Sequence, residues 1–274
     1  AIAPFFILPF VGLAGPMYAF ALFGAVVLWV VWRRLPSGDV VRQPPPGRHQ
    51  EDAGKGLWKD PRVRDYLLYG LLVTGAQAVN ISVLGFHIID EMAATGATVL
   101  EAQPFIGIAM LAGAAATLLA QWGLIPLLKL QAADLMRWGA GLALLGNVMT
   151  IAAPGYYGVV IGYAVISLGV GFARPGFTAG SSLSVGPLEQ GAVAGLMMSL
   201  AGLSFLGPPV IGVALYEFAE AAPFIANIVL LGLAVVLCFA SARLRLGPPD
   251  LPERDETPSP ETPPASQPGP EGGR

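Results

Sequence analysis

Residues 169–217 read GVGFARPGFTAGSSLSVGPLEQGAVAGLMMSLAGLSFLGPPVIGVALYE. Two apolar runs, 157–182 and 192–216, meet here at a short Glu189-Gln190-Gly191 turn, and Arg174 is the one cation in the stretch. Strand-type alternation is absent, and each run is long enough to cross a hydrocarbon core, which takes about 20 residues as a helix. Lipid offers backbone amides no partners, so helices are the spanning form open to such runs. Small residues recur four apart, at Gly158 and Gly162, Gly176 and Gly180, and Gly191 and Gly195. Pairs of this kind let helices approach closely where lipid supplies no hydrophobic drive. Pro175, and Pro208-Pro209 after Gly207, each remove a backbone donor and are expected to bend their helices.

Outward from this stretch, five further runs of the same character lie at 17–31, 66–89, 105–128, 138–153 and 224–242, making seven expected spans. The run at 138–153 is short and needs tilt or extension through Arg137 to match the bilayer. All fifteen Lys and Arg fall on one side of these spans. They follow the first run (Arg33, Arg34), fill 35–65, return at Lys129 and Arg137, then at Arg174, and end in the C-terminal stretch from Arg243. The intervening loops carry acids, Asp90, Glu91 and Glu101 in one and Glu217 and Glu220 in another, or no charge at all at 153–155. This is the positive-inside pattern of a polytopic inner-membrane protein with its linker and C-terminus in the cytoplasm. Trp29, Trp32, Trp58, Trp122 and Trp138 fall towards the cationic side, as interface anchors do.

Composition closes other routes. Charged residues make up 12% and hydrophobic residues 54%, against about 25% and 45–50% for soluble domains, too few charges to cover a soluble surface. Cys238 is the single cysteine, so no internal disulfide forms, and the two histidines, His49 and His87, are far apart. No metal or cofactor site is expected, nor a nucleic-acid partner. A catalytic cluster such as paired acids or a His-Glu-x-x-His run is also missing, so an enzyme is not expected. The chain starts with Ala inside an apolar stretch too short to span, which reads as a fragment.

The run ending Arg174-Pro175-Gly176, the Ser184-Val185 then Glu189-Gln190-Gly191 loop, and Gly207-Pro208 followed by Gly212 and Tyr216-Glu217 resemble the major facilitator superfamily, in particular its twelve-helix drug–proton antiporters, the tetracycline exporters among them. The resemblance implies a partial major facilitator fold of seven transmembrane helices, equivalent to the sixth through twelfth. Residues 1–34 are then the end of an N-terminal half, with a partial fifth helix and the sixth. Residues 35–65 become the cytoplasmic central linker, 66–246 a six-helix C-terminal bundle and 247–274 a disordered cytoplasmic tail. The implied activity is proton-coupled efflux of small amphipathic compounds by alternating access, with the missing N-terminal half as partner. The loop between Ile125 and Arg137 departs from the family's Gly-x-x-x-Asp-Arg pattern, since Asp134 is its one acid. A metabolite importer of the same superfamily, or a non-transporting polytopic protein, stays open.

Polar residues inside the runs mark the candidate cavity. Gln77 and Asn80 share a helical face with His87; Thr117 and Gln121 are four apart; Tyr163, Ser167, Arg174 and Thr178 fall on another face. In lipid such groups need partners, so they face the bundle interior or a wet cavity; hydrogen bonding between helices accounts for them as well. By resemblance these stripes lie on cavity-lining helices. Met198 and Phe205, with Met110 and Met197, add apolar and sulphur-bearing surface suited to a hydrophobic substrate. His87, beside Asp90 and Glu91 at a helix end, is expected to be a solvated interface group. Arg174 lies about 25 Å from the outer end of its helix at 1.5 Å per residue, in snorkelling range of the cytoplasmic boundary. Arg174→Ala is expected to lower solute flux more than Lys129→Ala in reconstituted vesicles; equal, negligible effects reduce Arg174 to one more orientation signal.

Overall fold

The computed structural model describes residues 15–34 and 56–246, apart from Pro154 and Leu188. Residues 1–14, most of the expected linker and the expected tail lie outside the described residues. Every regular element among the described residues is helical: α1 (Gly15–Arg34), a 3-10 turn (Leu57–Lys59), α2 (Pro61–Ala93), α3 (Val99–Leu128), α4 (Ala132–Ala152), α5 (Tyr156–Leu183), α6 (Gln190–Leu206), α7 (Pro208–Phe218), α8 (Ala222–Ala240) and α9 (Ala242–Leu246). Six stretches are long and apolar enough to cross a membrane: α2, α3, α4, α5, α6 with α7, and α8. The chain is a polytopic, all-α membrane protein. The first expected span, 17–31, is helical within α1, whose described side chains are exposed, and it is not one of these six.

Helices begin earlier than their apolar runs because polar residues cap them. Asp60 accepts a hydrogen bond from the Arg62 amide at 2.8 Å and Pro61 occupies the first helical position, so α2 starts at Pro61 rather than at 66. Thr98 and Glu101 form a reciprocal capping box that starts α3 at Val99. The short run at 138–153 gains its length from helix that extends from Ala132 through Arg137, without a side-chain cap. α5 stays helical through Pro175, whereas α6 and α7 separate at Gly207 with Pro208 opening the second segment. Within α3, Leu119–Leu124 wind as a π-helix.

α2 stands at the centre. Buried residues make up 67% of its most apolar stretch, against 17% in α3 and 17% across α6 and α7. It packs on α3, α5, α6, α7 and α8. The core joins Tyr66, Tyr69 and Val73 of α2 to Met136 and Ala140 of α4, Ala173 and Phe177 of α5, and Leu231 and Cys238 of α8. The most extensive contact is between α4 and α5, and it depends on small residues. A Cβ at Gly139 would lie 2.6 Å from the Ala173 amide nitrogen, and one at Gly146 would lie 2.6 Å from that of Ile166. Backbone cannot yield as a side chain can. Gly139→Val is therefore expected to cost about 1–3 kcal/mol of unfolding free energy in mild detergent, while Gly141→Ala, in open space, gains up to about 1 kcal/mol from helix propensity. Equal effects of the two would contradict the close packing.

Two rims of polar contacts between elements lie at opposite ends of the bundle. At the cationic end, Arg62 donates to Glu189 at 3.1 and 3.0 Å and to Asp60 at 3.0 and 2.7 Å, tying α2 to the turn before α6. Ser241 donates to Asp65 at 2.6 Å, and Arg137 bonds Asp134 at 3.1 Å and the Arg245 carbonyl at 2.5 Å. At the other end, Tyr216 donates to Asp90 at 2.6 Å, Glu91 accepts from the Gly155 amide at 3.0 Å, and Tyr156 donates to the Phe105 carbonyl at 3.2 Å. The Arg62 guanidinium, through its hydrogen bonds, holds both the Asp60 and the Glu189 carboxyls below their ordinary range. Their stabilising effect is therefore complete above the ordinary carboxylate range and is lost as pH falls through the lowered values. Both groups are solvent-accessible, which limits the effect to about 0–1 kcal/mol. Glu189→Gln should lower thermal stability slightly at about pH 7 and leave it unchanged at about pH 2, below the carboxylate range; a constant difference across that range would contradict the pairing.

Candidate functional site

Between the two rims, α2, α3 and α5 line a partly open cavity of about 180 Å³. α2 contributes Gln77, Asn80 and Ile81, α3 contributes Met110, Gly113, Ala114 and Thr117, and α5 contributes Tyr163, Ile166, Ser167 and Val170. At 1.5 Å per residue, Asn80 lies roughly 28 Å from the start of α2 and roughly 20 Å from its end. The geometry follows from local sequence. Gly113 lets α3 lie against α5, since a Cβ there would come within 2.7 Å of the Ser167 hydroxyl. One turn on, the Thr117 hydroxyl lies 3.0 Å from the Gly113 carbonyl and 3.2 Å from that of Ser167, so its proton is committed to backbone. No acidic or basic side chain lines the cavity.

Three buried atoms at this site have no hydrogen-bond partner: Gln77 Oε1, Asn80 Nδ2 and Asn80 Oδ1. Asn80 is 3% exposed. His87 Nε2 and Asn227 Oδ1 are also buried without a partner, while other polar atoms around α2 are paired. Tyr69 donates to the Met136 carbonyl at 2.6 Å, the Thr74 and Ser204 hydroxyls lie 2.8 Å apart, and Asn227 donates to the Ala76 carbonyl at 3.2 Å and towards Asn147 Oδ1 at 3.4 Å. A second cavity of about 300 Å³ adjoins the first, sharing Ile81, Met110 and Tyr163. Its remaining lining is Ser82, Leu84, Gly85, Phe86, Ile89 and Ile106.

Of the nine expected cavity residues, Gln77, Asn80, Thr117, Tyr163 and Ser167 meet around the first cavity, and four do not. Gln121 is exposed within the π-helical segment. Arg174 is exposed on α5. Met198 and Phe205 point away because the inward face of α6 is Val193, Met197 and Ser204, with Ser204 held on Thr74. His87 is buried rather than solvated: it is 7% exposed, its ring centroid lies 5.0 Å from that of Phe224, and Nδ1 lies 3.5 Å from the Tyr216 hydroxyl.

The expected packing glycines divide similarly. Gly176 lies against Leu135 and Met136, Gly180 against the Tyr66 ring, Gly162 against Gly146 and Thr150, and Gly158 against Ala153. Gly191, Gly195 and Gly207 have nothing within 4 Å of a Cβ, so among the described residues they bring no helices together. Ser204, Asn147 and Asn227 are further buried polar residues inside apolar runs, the signal that marks such residues, and the sequence reading does not single them out. Among the described residues, no cluster of His, Cys, Asp and Glu is arranged to hold a metal ion. In comparisons with known proteins, no family model matches the chain and no curated protein matches it.

Proposed function

We propose that this chain is the C-terminal part of a secondary transporter of the major facilitator kind, exporting small amphipathic compounds in exchange for protons. The observation that carries this reading is the cavity at mid-helix depth between α2, α3 and α5, whose polar lining includes unpartnered carboxamides. Polar groups inside a membrane bundle that lack a partner and line a cavity are candidates for a substrate or ion pathway. The two rims support alternating access, in which opposite ends of a bundle open in turn around a central site. α6 and α7 have few buried residues and are fastened to α2 at Arg62–Glu189, Thr74–Ser204 and Asp90–Tyr216. Such polar ties can break and re-form without disturbing the α4–α5 core. In this proposal the cationic rim is cytoplasmic, α1 is a seventh spanning helix, and a second bundle covers the exposed Gln121, Arg174 and Thr178 side chains. That second bundle also supplies the proton-coupling carboxylate, since none lines the cavity.

The test is flux in proteoliposomes containing the complete transporter under an imposed pH gradient. A fluorescent amphipathic dye should move against its gradient, and a protonophore should abolish that movement. Gradient-driven uptake of polar metabolites instead would make the protein an importer. No flux of either kind would favour a polytopic protein without transport activity.

A further inference from the structure

We infer that the cavity seats an uncharged amphiphile whose head is a planar amide, lactam or urea group, held by Asn80 and Gln77, with its apolar body directed towards Phe86 and Ile106. The inference rests on reading this cavity as the substrate site and adds the chemistry of the substrate.

A carboxamide has an acceptor oxygen and a donor nitrogen side by side. At Asn80 both are buried and unpaired, and the neighbouring Gln77 oxygen is unpaired as well. Leaving a buried donor or acceptor unpaired is costly, so an occupant that satisfies all three is favoured over an apolar one. A carboxylate supplies acceptors alone and leaves both carboxamide oxygens unpaired. An ammonium supplies donors alone and leaves Asn80 Nδ2 unpaired. Either ion would also enter a cavity with no charged side chain in its lining, where an uncompensated charge costs several kcal/mol. An amide edge offers donor and acceptor on adjacent atoms and pairs with Asn80 whichever way that carboxamide is turned. Thr117, its proton committed to backbone carbonyls, adds an acceptor for a second amide hydrogen. The larger cavity shares Ile81, Met110 and Tyr163 with the first and continues along Leu84, Phe86 and Ile106, which gives an alkyl or aryl body an apolar path away from the head.

The experiment measures binding to the purified chain in lipid nanodiscs, with empty nanodiscs subtracted, using octanamide, octanoate and octylammonium as probes of one chain length. Octanamide should bind saturably and at least ~10-fold more tightly than either ion, and Asn80→Leu should weaken it at least ~10-fold, the loss expected for one amide pairing. Gln77→Leu should produce a smaller loss in the same direction. Equal affinity for the three probes, no saturable octanamide binding, or unchanged affinity in a folded Asn80→Leu protein would overturn the inference. Should Asn80→Leu fail to fold, the three-probe comparison on the unaltered chain decides alone. Binding without flux in vesicles would sink the transport reading and leave the ligand class standing; flux without amide preference would do the reverse.

Discussion

The burial of α2 governs the rest of the molecule. A helix enclosed by five others in an apolar medium must find a partner for each polar side chain it carries. Tyr69 reaches a carbonyl of α4, Thr74 reaches Ser204 of α6, and the α2 backbone receives Asn227 from α8 at Ala76. Each of these bonds fixes the rotation of a neighbour about its own axis, because a wrong rotation would leave a polar group stranded in the core. The pairing lapses at His87 Nε2, against the aromatic side chains of α7 and α8, and on the face towards α3 and α5 at Gln77 and Asn80, where the space also lies.

Two kinds of cohesion divide the bundle. α4 and α5 are in backbone contact through glycines, an arrangement with no slack. α6 and α7 have polar ties to α2 at their two ends, each worth about 1 kcal/mol or less where solvent reaches it, and pack Val193, Met197 and Gly212 against the core. Displacing this helix pair would break those ties and slide side-chain contacts, whereas separating α4 from α5 would open an interface of backbone contact. Motion, where it occurs, is therefore expected at the periphery of α2 and not within the α4–α5 pair.

Six of the seven expected spans were legible in sequence because apolar runs need no partner to be recognised. Their starts were not, since Asp60 and Thr98 lengthen helices through hydrogen bonds that hydropathy does not register. Five cavity residues could be read from i, i+3 and i+4 spacing, because straight helices keep a face over several turns. The rule failed for Gln121, where the winding changes, and for Met198 and Phe205, where both faces of α6 are apolar and one hydroxyl, Ser204, selects the inward one. Arg62 and Glu189 are 127 residues apart, and nothing local announces their pairing. His87 read as a solvated group because its acidic neighbours in sequence were visible and the aromatic wall from α7 and α8 was not.

The π-helical turn at Leu119–Leu124 bears on how this helix tolerates lengthening and shortening. Elsewhere in α3, losing one residue would swing everything beyond it by about 100° and turn buried faces outward. Within the π turn a surplus residue is already accommodated, so one deletion there would restore ordinary winding while the flanking segments kept their bearings. This turn is thus the place in α3 where chain length can vary by one without reorienting the cavity wall above it.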